Sequence, residues 1–397
     1  MSVDPSSFGY HAVVTDSGLI IVGSGPAGVA AAEAFRVHQG GLPVRIFTAD
    51  VDLPYARPPL SKEFLRGQTD DVELHDPQWF DDRDIEVVTG SRVDKLDLDR
   101  RALHAGDQRH SFDTLILACG ASPKPLPIPG GHRAQQLRSL TDATALRDAA
   151  ASAESAVVIG SGFIGCEAAV SLALRGLAVT LVAPEELPQA KRLGNQAAER
   201  LRDLVTAAGV RHVGGVAVEE ITEAGVRLDN GVTIDCDLVL AATGVTPQSR
   251  IAAEAGLQLR DSRIVVGADM ATSAPNVYAA GDVALARHEI AGRHVAVEHW
   301  QDASDQGAVA GSCAAASPTK WVTIPGFWTS VGDATLKYHA WGDGYERCRL
   351  QDHGDGFTVW YESDDALVGV LTYNADDDYD LGERLIAERR PAPLETA

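Results

Sequence analysis

Apolar and polar positions alternate with two different periods along this chain. Twice, a short continuous apolar run leads into a glycine turn and then into a long stretch of alanine and aliphatic residues. The first is Leu19-Ile20-Ile21-Val22, followed by the turn Gly23 to Gly28; the second is Ala156-Val157-Val158-Ile159, followed by Gly160 to Gly165. Runs of that kind read as strands buried on both faces, the mark of a parallel sheet. The first βαβ unit is expected to close at Val44 to Phe47. The second is expected to begin at Ser155, with a helix from Phe163 to Leu174 and its next strand from Ala178 to Val182. Further strands are expected at Phe112 to Ala118, at Leu238 to Ala242 (leading into Thr243-Gly244), and at Asn276 to Ala280 (leading into Gly281-Asp282). Glu219 to Ala242 alternate and contain Asn230-Gly231, a hairpin signal. From about Trp321 the pattern changes to short alternating runs at Thr335 to Trp341, Phe357 to Tyr361 and Leu367 to Tyr373, which predict an antiparallel sheet. A final helix is expected over about Asp378 to Glu388, its acidic start at Asp376 to Asp380 suiting the helix dipole.

Both glycine turns have the spacing Gly-x-Gly-x-x-Gly. Gly23, Gly25 and Gly28, with Pro26 and Ala27 between, form one; Gly160, Gly162 and Gly165, with Phe163 and Ile164, form the other. In such a turn the first glycine makes the tight bend. The second lets backbone N–H groups approach a pyrophosphate, and the third lets helix and strand pack closely. The phosphates then lie at a helix N-terminus, where free N–H groups and the dipole favour negative charge. One such turn is a weak signal. Two, each between a strand and a helix and a domain apart, predict two nucleotides on one chain.

Composition narrows the class. The 397 residues are 45% hydrophobic, enough for two or three domains with a large core. No apolar stretch approaches the roughly 20 residues of a membrane helix, and Met1 to His11 lacks the pattern of a signal peptide. The expectation is a cytoplasmic protein that binds no membrane. The net charge of −22 argues against nucleic acid as a partner. Cys119, Cys166, Cys236, Cys313 and Cys348 contain no CxxC or CxxxxC pair, which argues against a disulfide framework and a cysteine-bound metal. Pro123, Pro125, Pro127 and Pro129 form a stiff connector, read as a crossing between domains.

Four segments carry more specific information: Pro54-Tyr55-Ala56-Arg57-Pro58-Pro59-Leu60-Ser61-Lys62, Gly160 to Glu167, Val277 to Asp282, and Val297-Glu298-His299-Trp300. Through them, and more loosely through Gly326-Phe327-Trp328, the chain resembles the FAD-dependent ferredoxin reductases of the pyridine nucleotide-disulfide oxidoreductase superfamily (the putidaredoxin, rubredoxin and dioxygenase reductase group). The resemblance implies a glutathione-reductase-like α/β fold: two Rossmann-like nucleotide-binding domains plus a C-terminal α+β domain. The expected division is 1–124 and 246–319 for FAD, 125–245 for NAD(P)H, and 320–397 for the last domain.

The resemblance also implies roles. It places Lys62 by the flavin N5 and pairs it with Glu167, read as lying on the first turn of its helix. It puts Asp282 at the ribityl or pyrophosphate end of FAD, Arg57 near an FAD phosphate, and Trp300 and Trp328 among the flavin's aromatic surroundings, with Glu298 and His299 beside them. For Arg57 and Trp328 the alternatives are a surface arginine and a core aromatic, and for His299 a structural histidine or one that tunes flavin protonation. Asp50, 22 residues after Gly28, suits the ribose hydroxyls of the FAD adenosine, with a plain loop aspartate as the alternative. Gly160, Gly162, Phe163, Ile164, Gly165, Glu167 and Gly244 are the expected NAD(P)H contacts. Coenzyme choice is expected around Ala183, where NADH-preferring relatives often carry glutamate. Glu185 and Glu186 close by favour NADH over NADPH, whereas Lys191 and Arg192 would suit a 2′-phosphate.

The segment around Lys62 contains no redox cysteine pair, so dithiol chemistry is not expected. Hydride from the nicotinamide must instead leave the flavin as single electrons. The expected acceptor is an iron–sulfur ferredoxin that feeds an oxygenase, and the expected state is a monomer or homodimer. The alternatives are rubredoxin, a quinone or oxygen as acceptor, or a redox-sensing flavoprotein of the apoptosis-inducing-factor kind. Arg287, His288, Arg293 and His294, broken by Glu289, are the expected basic surface for ferredoxin, or else a solvated hairpin.

Overall fold

The computed structural model describes residues 18–394. Met1 to His11, read above for a targeting segment, lie outside the described residues. No helix among the described residues is long and apolar enough to cross a membrane.

The first apolar run is the central strand of a parallel sheet. Leu19–Val22 lies between Val44–Phe47 and Thr114–Leu117, with Val277–Ala279 and Ile85–Val88 at the edges. All four residues of Leu19–Val22 are buried, as a strand covered on both faces requires. The helix Pro26–His38 covers this sheet and packs on Trp300–Ala314 at very short range. A Cβ on Gly307 would lie 2.2 Å from the carbonyl oxygen of Ala27, and one on Gly311 2.1 Å from that of Ala31.

The second apolar run nucleates a four-stranded parallel sheet in the order Arg211–Val213, Ala178–Val182, Ser155–Ile159, Leu238–Ala241. The helix Phe163–Leu174 and the strand Ala178–Val182 fall where the apolar periods put them. Asn230-Gly231 joins Gly225–Leu228 to Thr233–Asp235. The proline-rich connector is not a lone strut. Ala121–Pro123 pairs antiparallel with Val245–Pro247, so the chain's outward and return passages form one ribbon.

The C-terminal sheet is antiparallel, in the order Gly326–Val331, Ala334–Ala340, Ala366–Tyr373, Phe357–Ser363, Arg347–Asp352. The helix Asp376–Glu388 backs it through Leu385 and Ile386 against Trp360, Leu367 and Val370. Its opposite face does not form a separate core. Val331, Leu336, Tyr338 and Val359 belong to the same cluster as Val158, Val170 and Leu181 of the second nucleotide unit.

Candidate active site at the junction of three sheets

Both glycine turns open into one cleft of about 910 Å³. Gly23 has φ +113° and Gly160 φ +107°, conformations that L side chains rarely adopt. A Cβ on Gly28 would lie 2.0 Å from the carbonyl oxygen of Gly23, and one on Gly165 1.9 Å from that of Gly160. The middle glycines differ: a Cβ on Gly25 would meet nothing within 4 Å. That open space is what a backbone approaching a pyrophosphate requires. Neither following helix has a side-chain N-cap or an acidic residue in its first turn, so its N–H groups remain available to an anion.

Most of the residues expected at a site from sequence line this cleft: Gly23, Gly25, Pro26, Ala27, Asp50, Arg57, Lys62, Asp282, Glu298, His299, Trp300 and Trp328 from the FAD set, and Gly162, Phe163, Ile164, Gly165, Glu167 and Gly244 from the coenzyme set. Gly28 and Gly160 stand behind them, Gly28 where its helix packs on the strand and Gly160 in the bend of its turn. Ala183 is elsewhere: it is 2% exposed and does not line the cleft. It directly follows the strand Ala178–Val182, where its N–H donates to the Val213 carbonyl and its carbonyl accepts from the Val216 N–H. Glu185 and Glu186 also lie off the cleft, whereas Gln189 and Arg192 line it.

Lys62 and Glu167 form a buried ion pair at 2.8 Å, with side chains 8% and 2% exposed. Glu167 is the fifth residue of its helix, on the second turn rather than the first. Four donors meet its carboxylate: Lys62 Nζ, Ser61 Oγ at 2.5 Å, Thr329 Oγ1 at 2.5 Å and the Ser330 N–H at 3.3 Å. Lys62 also donates to the Pro58 carbonyl at 3.0 Å. This saturation is what keeps a charge pair stable away from water.

Asp50 accepts from Tyr55 Oη at 3.0 Å and lies 3.5 Å from Arg57. Burial pushes the Tyr55 hydroxyl up to about 12, against the pull of Arg57. Asp282 is bound at 2.7 Å by Arg138, whose carbonyl accepts from Arg57 Nη1 at 2.7 Å. Burial, and then the neighbouring Arg138, lower the proton affinity of Arg57. Two guanidinium groups held together in this way suit a bridging anion such as a pyrophosphate, and Arg138 Nε is buried without a partner among the described residues. No pattern in the sequence singles out Arg138; it comes from a loop distant from every motif. Arg192 is the one cleft cation without an ion pair among the described residues. Arg57, Lys62, Arg92, Arg138, Arg250 and Arg263 each have one. Glu298, paired with Arg263, is an exposed rim residue.

The expected basic surface does not hold together. His288 is fully buried, donating from Nε2 to the Thr323 carbonyl at 2.9 Å and accepting at Nδ1 from the Ala291 N–H at 3.2 Å. Arg293 is bound to Asp343, and Glu289 to Lys320 at 2.7 Å. Of the four expected basic residues Arg287 alone is exposed, as the single solvent-facing residue of the otherwise buried strand Ala284–His288.

Two glycine turns facing one cleft, with a saturated Lys–Glu pair between them, define an oxidoreductase that binds two nucleotides. The chain belongs to the family described as pyridine nucleotide-disulphide oxidoreductase, which residues 17–307 match. Its cofactors are FAD and a pyridine nucleotide. It is 31% identical over 393 residues to rhodocoxin reductase of Rhodococcus erythropolis, covering 96% of this chain and 91% of that one. Its fold matches a ferredoxin reductase from Rhodopseudomonas palustris with a TM-score of 0.90, at 28% identity over 95% of this chain and 96% of that one. It matches a covalent putidaredoxin reductase–putidaredoxin complex with a TM-score of 0.90, at 27% identity over 95% and 94%. All five of its own cysteines are free.

Proposed function

We propose that this chain is an FAD-dependent NAD(P)H:ferredoxin reductase, taking hydride from the nicotinamide and passing single electrons to an iron–sulfur ferredoxin that supplies an oxygenase. The observation that carries the reading is the buried Lys62–Glu167 pair between the two glycine turns, its carboxylate met by Lys62 and three further donors. In this reading residues 1–124 and 246–319 hold FAD, 125–245 hold the coenzyme, and 320–397 close the cleft. FAD, when bound, accepts a hydride and releases its electrons one at a time. The protein's residues do the rest. The turn at Gly23 to Gly28 and its helix N-terminus bind the pyrophosphate, with Arg57 and Arg138 as counter-charges. Asp50, oriented by Tyr55, takes the ribose hydroxyls. Lys62, fixed by Glu167, presents a positive charge to the reacting ring. Gly162 to Gly165 and Arg192 receive the coenzyme phosphates, and Trp300 and Trp328 shield the ring from water. Burial pushes the thiol of Cys119, which lines the cleft, up to about 12, which disfavours its thiolate.

Purified protein is expected to be yellow, with one FAD per chain. NADH or NADPH should bleach it without air, and added oxidised ferredoxin should restore the colour. A folded, colourless protein that takes up no FAD would overturn the reading.

A further inference from the structure

A buried carboxylate stands behind the cleft wall with no part in the chemistry above. Asp302, in the first turn of Trp300–Ala314, is 1% exposed. An acid at a helix start ordinarily faces water, where the dipole alone accounts for it. This one instead accepts from His299 Nδ1 at 2.8 Å. His299 caps the helix, lines the cleft and packs against the Phe327 ring at 4.5 Å.

The groups facing Asp302 come from every layer around it. On its own helix are His299 and Asp305, and the Gly326 N–H reaches it from the strand Gly326–Val331. From Ala334–Ala340 comes His339, whose Nδ1 donates to the Pro325 carbonyl at 3.2 Å. From Asp376–Glu388 come Tyr379, stacked on His339 at 4.2 Å, and Glu383, 3.9 Å from His339 Nε2. Burial raises the proton affinity of Asp302, and His299 draws it back. Two N–H donors on one carboxylate leave the imidazole a single arrangement, with Nδ1–H turned to Asp302.

We propose that Asp302 is a positioning residue that holds His299 with Nε2 free, so that His299 takes up the proton left behind when the hydride's electrons depart singly. This rests on the reductase reading. One C–H bond of NAD(P)H breaks per turnover and the nicotinamide is oxidised. Two ferredoxins each gain one electron, and one proton remains. The bond formed is Nε2–H of His299. Asp302 stabilises the imidazolium until the proton passes to water at the open side of the cleft, where the His299 side chain is 19% exposed.

Two variants test this in the FAD-loaded protein, Asp302→Asn and His299→Gln. An asparagine has one acceptor for two donors, so its amide nitrogen faces the imidazole and turns the ring to the Nε2–H form. Nitrogen-15 spectra of the oxidised protein at alkaline pH, with His299→Gln assigning the ring, should show Nδ1–H in the wild type and Nε2–H in Asp302→Asn. Anaerobic stopped-flow should show reoxidation by ferredoxin slowed at least tenfold in both variants, and slowed by a larger factor than the first reduction by NAD(P)H. General acid–base groups typically contribute 10²–10⁴-fold, so a tenfold loss is a low threshold. An unchanged tautomer in Asp302→Asn, or wild-type reoxidation in either variant, overturns the proposal. If the wild type binds no FAD or is not bleached by NAD(P)H, the reductase reading itself falls.

Discussion

The Lys62–Glu167 pair shows how much a single charge depends on its neighbour. With side chains 8% and 2% exposed, neither group has water to fall back on. Glu167→Gln leaves the ammonium without its counter-charge, and removing one member of a buried pair typically costs about 3–5 kcal/mol. The double variant Lys62→Met with Glu167→Gln removes both charges and should be more stable than Glu167→Gln alone. Denaturant unfolding of the wild type, both single variants and the double variant measures this, and strictly additive losses would contradict it. Coenzyme binding is expected to turn on individual side chains as well. Ala183 is enclosed by backbone bonds to Val213 and Val216. Ala183→Arg should therefore lower stability without changing the NADH-to-NADPH ratio, because it buries an unpaired charge. Arg192→Ala should raise the KM for the coenzyme by about tenfold or more, the worth of a lost charge-assisted hydrogen bond, with kcat little changed.

Among the elements, the hairpin Ala284–His288 with Arg293–Val295 behaves differently from its composition. Its sequence reads as a cationic surface. Instead, His288 bonds through both ring nitrogens and is closed in by Trp321 and Trp341, with ring centroids at 4.6 and 4.9 Å. Burial lowers its proton affinity. The unfolded chain therefore binds a proton first as pH falls, and stability is lost below about pH 6.5, the unfolded value. One proton contributes a slope of at most about 1.4 kcal/mol per pH unit. His288→Gln should flatten the fall in unfolding free energy between pH 7 and 5. An unchanged slope would place the acid sensitivity in other buried histidines.

At the scale of the whole molecule, the cleft exists because three sheets meet there. The C-terminal sheet is tied to the second nucleotide unit by a shared core and by several polar contacts, among them the Ser330 N–H on Glu167 and the Arg200–Asp352 ion pair. Thr329 Oγ1 donates to Glu167, and Tyr361 Oη donates to the Leu193 carbonyl at 2.9 Å. Thr329→Val keeps the shape but removes one donor from a buried carboxylate, which should cost about 1–3 kcal/mol. It should also loosen the cleft, seen as weaker FAD retention on dilution. Full FAD retention with unchanged unfolding would mean that apolar packing alone sets the sheet's position.

The two nucleotide units were legible along the chain because their signals are local. A buried strand needs a continuous apolar run, a tight turn needs glycine, and both sit within a dozen residues. The Phe163–Leu174 helix and the Ala178–Val182 strand follow from that directly. The Lys62–Glu167 pair was legible only through resemblance, since 105 positions separate its members. Tertiary packing alone decided the remainder. It brought Arg138 to Asp282, put Ala183 inside and Arg192 in the cleft, hid His288, and set Asp302 behind His299. In each case the deciding quantity was access to water, which depends on what the rest of the chain lays over a residue and leaves no trace in its immediate neighbours.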